Sequence, residues 1–427
     1  MFSPKTPKQT LSINSTTAVP LTNTTYHIKL SKSITELAES WAIAAPKDNL
    51  FLQYDYLNAL EQFPPAEMSF KYAIVYKEQE AIAVLYQQIF HLNVDESLQQ
   101  NKEGESEPNK QNCIIKAFSN AIKRWFLKRA EFNLLISGNL LLTGEYGSYF
   151  NPSINEQERA VILRNSLEFI QHQLDKEGTK ISVHLIKDYP VEQCTTLKPQ
   201  LQKYTYHPFL MQPSMFMDIR SHWTTFEDYL GDMSSKYRVR AKRARKKGNA
   251  IVKKILSLEE IKENEERIYT LYKAIADNAG FNAFLLHPQY FTILKEHLGD
   301  NYRLTAYYIE DELVAFYTAI FNGHEMDAHF LGVDSSYNRE YQVYLNILYD
   351  LVYLGIESKS ERIDFARTAL EIKSSVGAVS QDLLCFFKHR NTISSKFIQV
   401  VFDNLNPKEE WQPRQPFKVD KASVSSS

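Results

Sequence analysis

Residues 302–333 read YRLTAYYIEDELVAFYTAIFNGHEMDAHFLGV and contain three short segments rich in aromatic and branched apolar residues. The Glu-Asp pair at 310–311 separates the first two segments, a length and composition typical of a tight hairpin turn. We therefore predict strands over 302–309 and 312–322. A third strand is predicted over 325–333, because apolar and polar residues alternate there.

Helices and strands alternate on both sides of this hairpin, and the second half repeats the order of the first. The main predicted helices are 114–129, 157–175, 225–247, 258–278, 289–298, 340–354 and 370–376. Further strands are predicted at 26–30, 72–76, 81–90, 132–142, 180–186, 214–219, 251–255, 362–365 and 383–389. Hairpins mixed with helices indicate an α+β fold that occurs twice, with mixed central sheets flanked by helices.

The predicted domains are 25–205 and 206–405, and the second is expected to carry the active cleft. Residues 1–24 are rich in Ser, Thr, Pro and Asn, and we predict a disordered N-terminal tail there. Residues 406–427 end in VSSS and are predicted to form a flexible C-terminal tail.

Composition excludes several classes of protein. The 427 residues contain 49 Lys and Arg against 51 Asp and Glu, so the chain is not generally basic as a nucleic-acid coat would be. The sequence has no Gly-rich phosphate loop of the GxGxxG or GxxxxGK[ST] type and no GxSxG. Cys113, Cys194 and Cys385 are widely spaced, which fits a reducing compartment. We therefore expect a cytoplasmic protein without integral membrane contact.

The most unusual local segment is KYRVRAKRARKK at 236–247, where eight of twelve residues are basic. The acidic FEDYLGDM precedes it, so a helix here would carry acids early and bases late, as the helix dipole favours. One interpretation is a solvated helix end. The other is a phosphate or polyanion site, because guanidinium groups bind phosphate in a bidentate manner. Duplex nucleic-acid binding is a third possibility, with no motif to support it.

The segment HEMDAH at 324–329 does not have the spacing of a zinc motif. HExxH places its histidines four apart on a helix, whereas these lie five apart on a predicted strand and on opposite faces. No metal is expected. Glu325, Asp327 and His329 are predicted to share one strand face. That face is either solvated or lines a cleft in which His329 acts as a proton acceptor or hydrogen-bond donor.

The segment RIDFARTALEIKSSVGA at 362–378 is predicted to form a short strand followed by a helical turn. Arg367 and Lys373 would then lie at the open end of a sheet, where binding crevices form in layered proteins. An ordinary surface turn is the other interpretation.

The ordered series from the basic helix to IDFARTALEIKSSVGA resembles the acetyltransferase-like domain of FemA/FemB-type and related proteins of the GNAT superfamily. The resemblance covers about residues 214–390 and repeats more faintly over 26–205. It implies two tandem GNAT-like (acyl-CoA N-acyltransferase) domains. It also implies transfer of an acyl or aminoacyl group from a thioester or ester to an amine of a small molecule or cell-envelope precursor, without a covalent enzyme intermediate. A non-catalytic Fem-like binding or scaffold protein is the alternative.

The same resemblance implies several site residues. Lys373 corresponds to the lysine of the closing segment and is expected to contact the donor or stabilise negative charge. Arg367 of the closing segment and Arg238, Arg240 and Arg243 of the basic helix are the implied substrate-binding residues. Strand and helix placement alone, without a family motif, adds His329 as the second catalytic candidate and Asp334, Tyr341 and Tyr344 as substrate-binding residues. Residues 337–344 contain no glycine where acetyl-CoA-dependent relatives have a pyrophosphate loop. The donor is therefore either an acyl-CoA or an aminoacyl-tRNA or carrier-protein thioester, with tRNA or acyl carrier protein as a possible partner and a small-molecule or peptide-like amine as acceptor.

Overall fold

The computed structural model describes residues 16–21, 24–93, 131–277, 284–391 and 411–418. The strands in these ranges are β1 Thr16–Leu21, β2 Thr24–Ser31, β3 Met68–Lys77, β4 Glu80–Asn93, β5 Glu131–Ser137, β6 Ser148–Phe150, β7 Val183–Pro190, β8 His207–Leu210, β9 Ser214–Asp218, β10 Val252–Ile255, β11 Tyr302–Ile309, β12 Glu312–Asn322, β13 Glu325–Val333, β14 Arg362–Asp364, β15 Val379–Gln381 and β16 Leu383–His389. The helices are α1 Ala38–Ala44, α2 Tyr54–Gln62, α3 Glu156–Lys176, α4 Leu197–Lys203, α5 Phe226–Asp232, α6 Ser235–Lys247, α7 Leu258–Glu263, α8 Glu265–Asp277, α9 Tyr290–Leu298, α10 Ser335–Tyr341, α11 Val343–Glu357 and α12 Leu370–Ser374.

The strands form two mixed sheets. The first has the order β1-β2-β3-β4-β5-β7-β16-β8, with β6 beside β4, and the second has the order β10-β11-β12-β13-β14-β9-β15. Each sheet contains one parallel pair, β5 with β7 and β13 with β14, and the other described pairings are antiparallel. A helical connection joins the strands of each parallel pair, as a parallel crossover requires. The predicted α+β class is thus confirmed.

The described residues form three hydrophobic cores. The largest lies between the two sheets and contains residues of both halves, such as Trp41, Tyr72, Tyr290 and Phe316. A second core packs α5, α6 and α11 against the outer face of the second sheet. A third packs α3 and α4 against the outer face of the first sheet. Because the central core belongs to both halves, the two sheets pack as layers of one body.

The last strand of the chain does not stay with the half that precedes it. β16 pairs with β7 and β8, so it completes the first sheet. The first sheet thus includes β8 and β16, which lie beyond residue 205 in the chain. The division of the chain into the domains 25–205 and 206–405 stays a prediction.

The sequence predictions agree with the structure where the pattern is local. The hairpin strands β11 and β12 and the strand β13 have the predicted bounds, and Glu310 and Asp311 take left-handed φ values of 49° and 65°. These values fit the two-residue turns that match the twist of a hairpin. The loop predicted at 95–111 and the helix predicted at 114–129 lie outside the described residues.

The helix predicted over 225–247 is two helices. Met233 and Ser234 between them are extended, with ψ values of 145° and 154°. Met233 is buried and pairs with Phe417, and the Ser234 N–H donates to the carbonyl of Pro416 at 2.8 Å. A contact with a distant segment therefore interrupts the helix at these two residues.

The same contact involves part of the predicted C-terminal tail. Residues 411–418 lie against the second half, and the ring of Phe417 lies 5.4 Å from that of Trp223. Within the predicted N-terminal tail, β1 pairs along its whole length with β2. Flexibility of the two tails stays a prediction.

A buried ion pair joins the two sheets. Arg367, just after β14, donates through Nη1 to Asp188 Oδ2 at 3.2 Å and through Nη2 to Asp188 Oδ1. The side chain of Asp188 is fully buried, and Lys187 is its second cationic partner. Burial raises the pKa of Asp188, but the charges of Arg367 and Lys187 outweigh this effect and lower the pKa below its ordinary value.

We expect Asp188→Asn to lower the free energy of unfolding by about 3 kcal/mol or more, because it leaves two buried cations without their carboxylate. Asparagine tolerates the left-handed φ of 67° at this position, so backbone strain does not contribute. Urea denaturation followed by tryptophan fluorescence measures the loss. The matched control is Asp277→Asn, which breaks an exposed pair with Lys273 and is expected to cost less than about 0.5 kcal/mol. Equal losses in the two variants would contradict the assigned role of Asp188.

Candidate active site

The second sheet opens between its two parallel strands. β13 pairs with β14 only over Glu325–Asp327 and Arg362–Asp364, although β13 continues along β12 as far as Val333. Beyond Asp364 the chain turns away, with left-handed φ values at Ala366, Thr368 and Ala369 of 56°, 69° and 49°. The two strands therefore part at the carboxyl end of their pairing, where crevice sites form in layered sheets.

A β-bulge lies on the open side of β13. Tyr317 of β12 faces Leu331 and Ala319 faces Ala328, so His329 and Phe330 together oppose Thr318. The Thr318 hydroxyl donates to the Phe330 carbonyl and accepts from its N–H, both at 2.9 Å. This side chain replaces the missing backbone pairing and fixes the position of His329 beside the parted strands.

Two buried carboxylates face each other where the strands part. Asp327 and Asp364 are partners in the parallel register, and each is 4% exposed. Burial raises the pKa of Asp327 well above its ordinary value, and the charges of Asp364 and Glu325 raise it further. Asp327 Oδ2 has no hydrogen-bond partner among the described residues. Burial and the neighbouring charges therefore favour the neutral form of this carboxyl.

Asp364, in contrast to Asp327 Oδ2, accepts hydrogen bonds from its neighbours. Its Oδ1 accepts from the Ala366 N–H at 2.6 Å and from the Ser214 hydroxyl at 3.0 Å. Burial raises the pKa of Asp364 to about 6, although these hydrogen bonds and the charge of Lys373 oppose the rise. Asp364 therefore changes its charge near neutral pH, which is the property of a general base.

Lys373 lies beneath the turn that follows β14. Its Nζ donates to the carbonyls of Arg367 at 2.6 Å and Ala366 at 3.3 Å. Burial lowers its pKa to about 7, while the charge of Asp364 acts in the opposite direction. The structure thus brings Lys373 to the parted strands, as predicted for the open end of a sheet. This side-chain nitrogen donates to carbonyls of the turn itself, and its contact with an acyl donor stays a prediction.

Arg367 lies at the same turn and points to the first sheet. Besides Asp188, its Nε donates to the carbonyl of Gln212 at 2.8 Å. These contacts give the guanidinium a structural use. The prediction that it binds substrate is not tested by them.

One tyrosine hydroxyl lies against His329, and an amide of the first half holds a second tyrosine. Tyr290 Oη lies 2.7 Å from His329 Nε2. The Leu141 N–H donates to Asn139 Oδ1 at 3.0 Å, which orients the amide so that Nδ2 donates to Tyr56 Oη at 2.9 Å. Burial lowers the pKa of His329 to about 3. The imidazole is therefore neutral at pH 7, which favours hydrogen bonding over proton uptake.

The cations of α6 have different surroundings on the two sides of the helix. Arg245 donates to Asp350 Oδ1 at 2.6 Å and holds α6 against α11. Arg240 and Arg243 are exposed and Arg238 is half-buried. None of these three side chains has an ion pair within the described parts of the chain.

Side chains of the protein itself bind N–H groups at the N-termini of α10 and α11, the two helices that follow β13. Asp334 caps α10, where its Oδ1 accepts from the N–H of Ser336 at 3.1 Å. Asn338 Oδ1 accepts from the N–H of Tyr344 in the first turn of α11 at 3.0 Å. Tyr341 is half-buried and packs near the ring of Tyr337, 6.2 Å away.

A pyrophosphate does not fit this position as it stands. Asp334 already accepts from the N–H of Ser336 in the first turn of α10 and pairs with Arg267 at 3.3 Å. Asn338 already accepts from the N–H of Tyr344 in the first turn of α11, so neither N–H is available to a phosphate. The structure thus agrees with the absence of glycine from 337–344. The residues present do not form the cradle for coenzyme A that the GNAT resemblance implies.

Sequence reasoning missed five residues of this site: Tyr56, Asn139, Ser214, Tyr290 and Asp364. Asn139 and Asp364 each follow or end a strand of a parallel pair, and this position was an available signal. The two tyrosines carry no local signal, since they belong to helices that look like ordinary amphipathic segments.

No group of three or more His, Cys, Asp or Glu side chains in the described residues is placed to hold a metal ion. None of the helices in the described ranges has the length and apolar character needed to cross a bilayer.

Comparison with known proteins gives a family for part of the chain. Residues 235–374, about a third of the sequence, match the family described as Acetyltransferase (GNAT) domain. None of the curated proteins compared matches the sequence.

Solved structures extend the likeness to most of the chain. FemX is 10% identical, with 87% of this chain and 100% of FemX covered at a TM-score of 0.51. A tandem GNAT protein from the clavulanic acid biosynthesis pathway is 9% identical, with coverages of 85% and 99% and a TM-score of 0.46. L-PGS from Bacillus licheniformis is 11% identical, with coverages of 82% and 94% and a TM-score of 0.43. The resemblance drawn from the sequence is confirmed: residues 235–374 match a GNAT domain, and the chain shares the fold of FemX.

Proposed function

We propose that the protein is an acyltransferase that moves an acyl or aminoacyl group from a thioester or ester donor to an amine, by direct attack. The observation that carries the proposal is the parting of β13 from β14 beside a carboxyl pair that titrates near neutral pH. The match of residues 235–374 to a GNAT domain supports the reaction class.

Asp364 is the proposed general base. An amine attacks only when it is neutral, so its ammonium proton must leave before or during attack. Burial raises the pKa of Asp364 to about 6 and that of Asp327 well above its ordinary value, so we propose that the pair shares one proton and can accept a second near neutral pH. The new bond joins nitrogen to the acyl carbon. The bond from that carbon to sulfur or oxygen then breaks, and its electron pair leaves with the heteroatom.

His329 is the proposed donor to the developing oxyanion. Tyr290 Oη lies 2.7 Å from His329 Nε2, and we propose that its hydroxyl donates to that nitrogen. The imidazole proton is then on Nδ1, where it can donate to negative charge. Lys373 keeps Asp364 ionised and holds the turn from which Asp364 acts.

Substrate classes stay as the sequence implied them. The donor is an acyl-CoA, an aminoacyl-tRNA or a carrier-protein thioester, and the acceptor is a small-molecule or peptide-like amine. We propose Arg238, Arg240 and Arg243 for contacts with the donor, and a cytoplasmic location from the spacing of the cysteines. Tyr341 and Tyr344 are proposed to border the substrate channel.

Direct tests start from the full chain. Acyl-CoAs with a panel of primary amines are followed by thiol release, and aminoacyl-tRNAs with the same amines are followed by transfer of a labelled amino acid. Turnover with one donor class supports the proposal. A label that remains covalently bound to the protein after denaturation would contradict attack without an enzyme intermediate.

The helix ends occupied by Asp334 and Asn338 favour a second candidate, a binding or scaffold protein that kept the fold. It predicts that the full chain binds an amine or an acyl carrier without turnover, and that Asp364→Asn leaves this binding unchanged.

We expect the rate of transfer by the natural chain to rise with pH through about 6 and then level off, as Asp364 ionises. Asp364→Asn should lower kcat by about 10²–10⁴-fold and abolish that rise, which is the usual contribution of a general base. Steady-state rates between pH 5 and 8 measure both effects. The control is Asp218→Asn on β9, an 80% exposed carboxylate in the same sheet, which should keep the natural profile. An unchanged profile in Asp364→Asn would remove Asp364 from the mechanism.

The carboxyl pair should also make stability depend on pH. Asp364 holds its proton to about pH 6 in the folded chain, whereas an unfolded aspartate releases it near pH 4. The folded state therefore binds more protons in this window, so the free energy of unfolding falls as pH rises from about 4 to 6. Above about pH 6 the free energy of unfolding has fallen by its full amount, because Asp364 is then ionised in both the folded and the unfolded chain.

Asp327→Asn removes the neighbouring carboxyl, so we expect a gain in unfolding free energy on the order of 1 kcal/mol at pH 7.5 and little change at pH 4.5. Urea denaturation of both chains at the two pH values measures the difference. A variant that is destabilised equally at both pH values would show that Asp327 acts through packing alone.

A further inference from the structure

A pocket opens between α6, α12 and the segment 411–418, on the outer side of α12. Its volume is about 370 Å³. The residues that line it are Lys236, Tyr237, Arg240, Glu371, Ile372 and Arg414.

The lining is positively charged. The one carboxylate, Glu371, accepts from Arg414 Nε at 3.0 Å, so its charge is already balanced. Lys236 and Arg240 have no ion pair or hydrogen bond to the part of the chain that the structure describes. Both side chains are exposed, which places two free cations at the edge of a concave surface.

Helix geometry explains why these two cations are free. Residues four apart lie on one face of a helix, so Lys236 and Arg240 project together. Ala241 and Ala244 form the buried face of α6, and Arg245 lies on the other flank, where it binds Asp350. The helix therefore uses one flank for packing and leaves the other for a ligand.

The pocket lies close to the proposed site of transfer. Ile372 of α12 faces the pocket, and the next residue, Lys373, donates to the turn that follows β14. Only α12 separates the two places, which is about 10 Å for one helix. A donor whose phosphate lies about that far from its acyl carbon reaches both.

We infer that this pocket binds a phosphate ester of the acyl donor, in place of the helix N-terminus after β13. The inference rests on the proposed function. Arg240 offers a guanidinium that matches two phosphate oxygens, and Lys236 adds a point charge beside it. The helix ends after β13 cannot serve, because Asp334 and Asn338 occupy them.

Titration calorimetry with the full chain tests the inference, with coenzyme A and a short RNA ending in CCA as the two probes. The probe that binds identifies the source of the phosphate ester. Lys236→Ala/Arg240→Ala should weaken its binding tenfold or more. Both residues are exposed, so circular dichroism and the Tm should match those of the natural chain.

The matched control is Lys242→Ala/Lys246→Ala, which removes the same charge from exposed positions of α6 that do not line the pocket. We expect less than a twofold change for the probe that binds. Equal weakening in both double variants would show a general charge effect and overturn the inference. Failure of both probes to bind the natural chain would overturn it too.

Turnover separates this inference from the proposed function. If Lys236→Ala/Arg240→Ala keeps both affinity and turnover, the pocket is not the phosphate site and the function stands. If the natural chain binds a probe through this pocket and transfers no acyl group, the inference stands and the function fails. Arg240→Lys, which keeps the charge and loses the bidentate fork, should retain part of the affinity.

Discussion

One hydrogen bond ends the pairing of the two parallel strands of the second sheet. Asp364 Oδ1 accepts from the N–H of Ala366, two residues further along the chain, at 2.6 Å. Such a local bond competes with the sheet, because the N–H that would continue the ladder is already satisfied. Ala366 then takes a left-handed φ of 56°, and the chain turns away from β13 while the Ala366 carbonyl still accepts from the Met215 N–H of β9 at 3.2 Å. The opening beside β13, the turn that holds Lys373 and the position of Asp364 all follow from this bond.

The opening is closed on its other side by the first half of the chain. Arg367 ties the turn to Asp188 of β7, just past the part of β7 that pairs with β5. This ion pair therefore joins the ends of the two parallel pairings. A shared core between the sheets keeps them together, so neither half contains the whole site.

The parts of this structure that sequence could predict are those decided by near neighbours. The bounds of β11, β12, β13 and β16 follow from alternation and from a two-residue turn, and they agree with the structure. The break at Met233 depends on a strand bridge to Phe417, some 180 residues away, which no local pattern contains. Helix dipole and composition both favoured an unbroken helix there, and tertiary contact overrode them.

The candidate site shows the same limit. Lys373 was predicted because it lies in a segment that resembles a family. It lies at the turn that follows β14, and its role in transfer stays a prediction. Asp364 lies in that segment as well, but its importance comes from Asp327 on another strand, Ser214 on a third and burial by the first half. Burial and pairing are properties of the folded chain, so the sequence could not reveal which carboxylate titrates near neutral pH.

Stability alone does not explain why two carboxyl groups are buried side by side. Removing a carboxylate from water costs several kcal/mol unless a cation or several donors replace the water. Asp364 has two donors and a nearby ammonium group, yet Asp327 Oδ2 has no partner in the described residues. A leucine or asparagine would fill the same volume at lower cost. The arrangement is therefore best understood through what it does to a proton, since two adjacent carboxyls that share one proton can accept another near neutral pH, as amine attack on an acyl group requires.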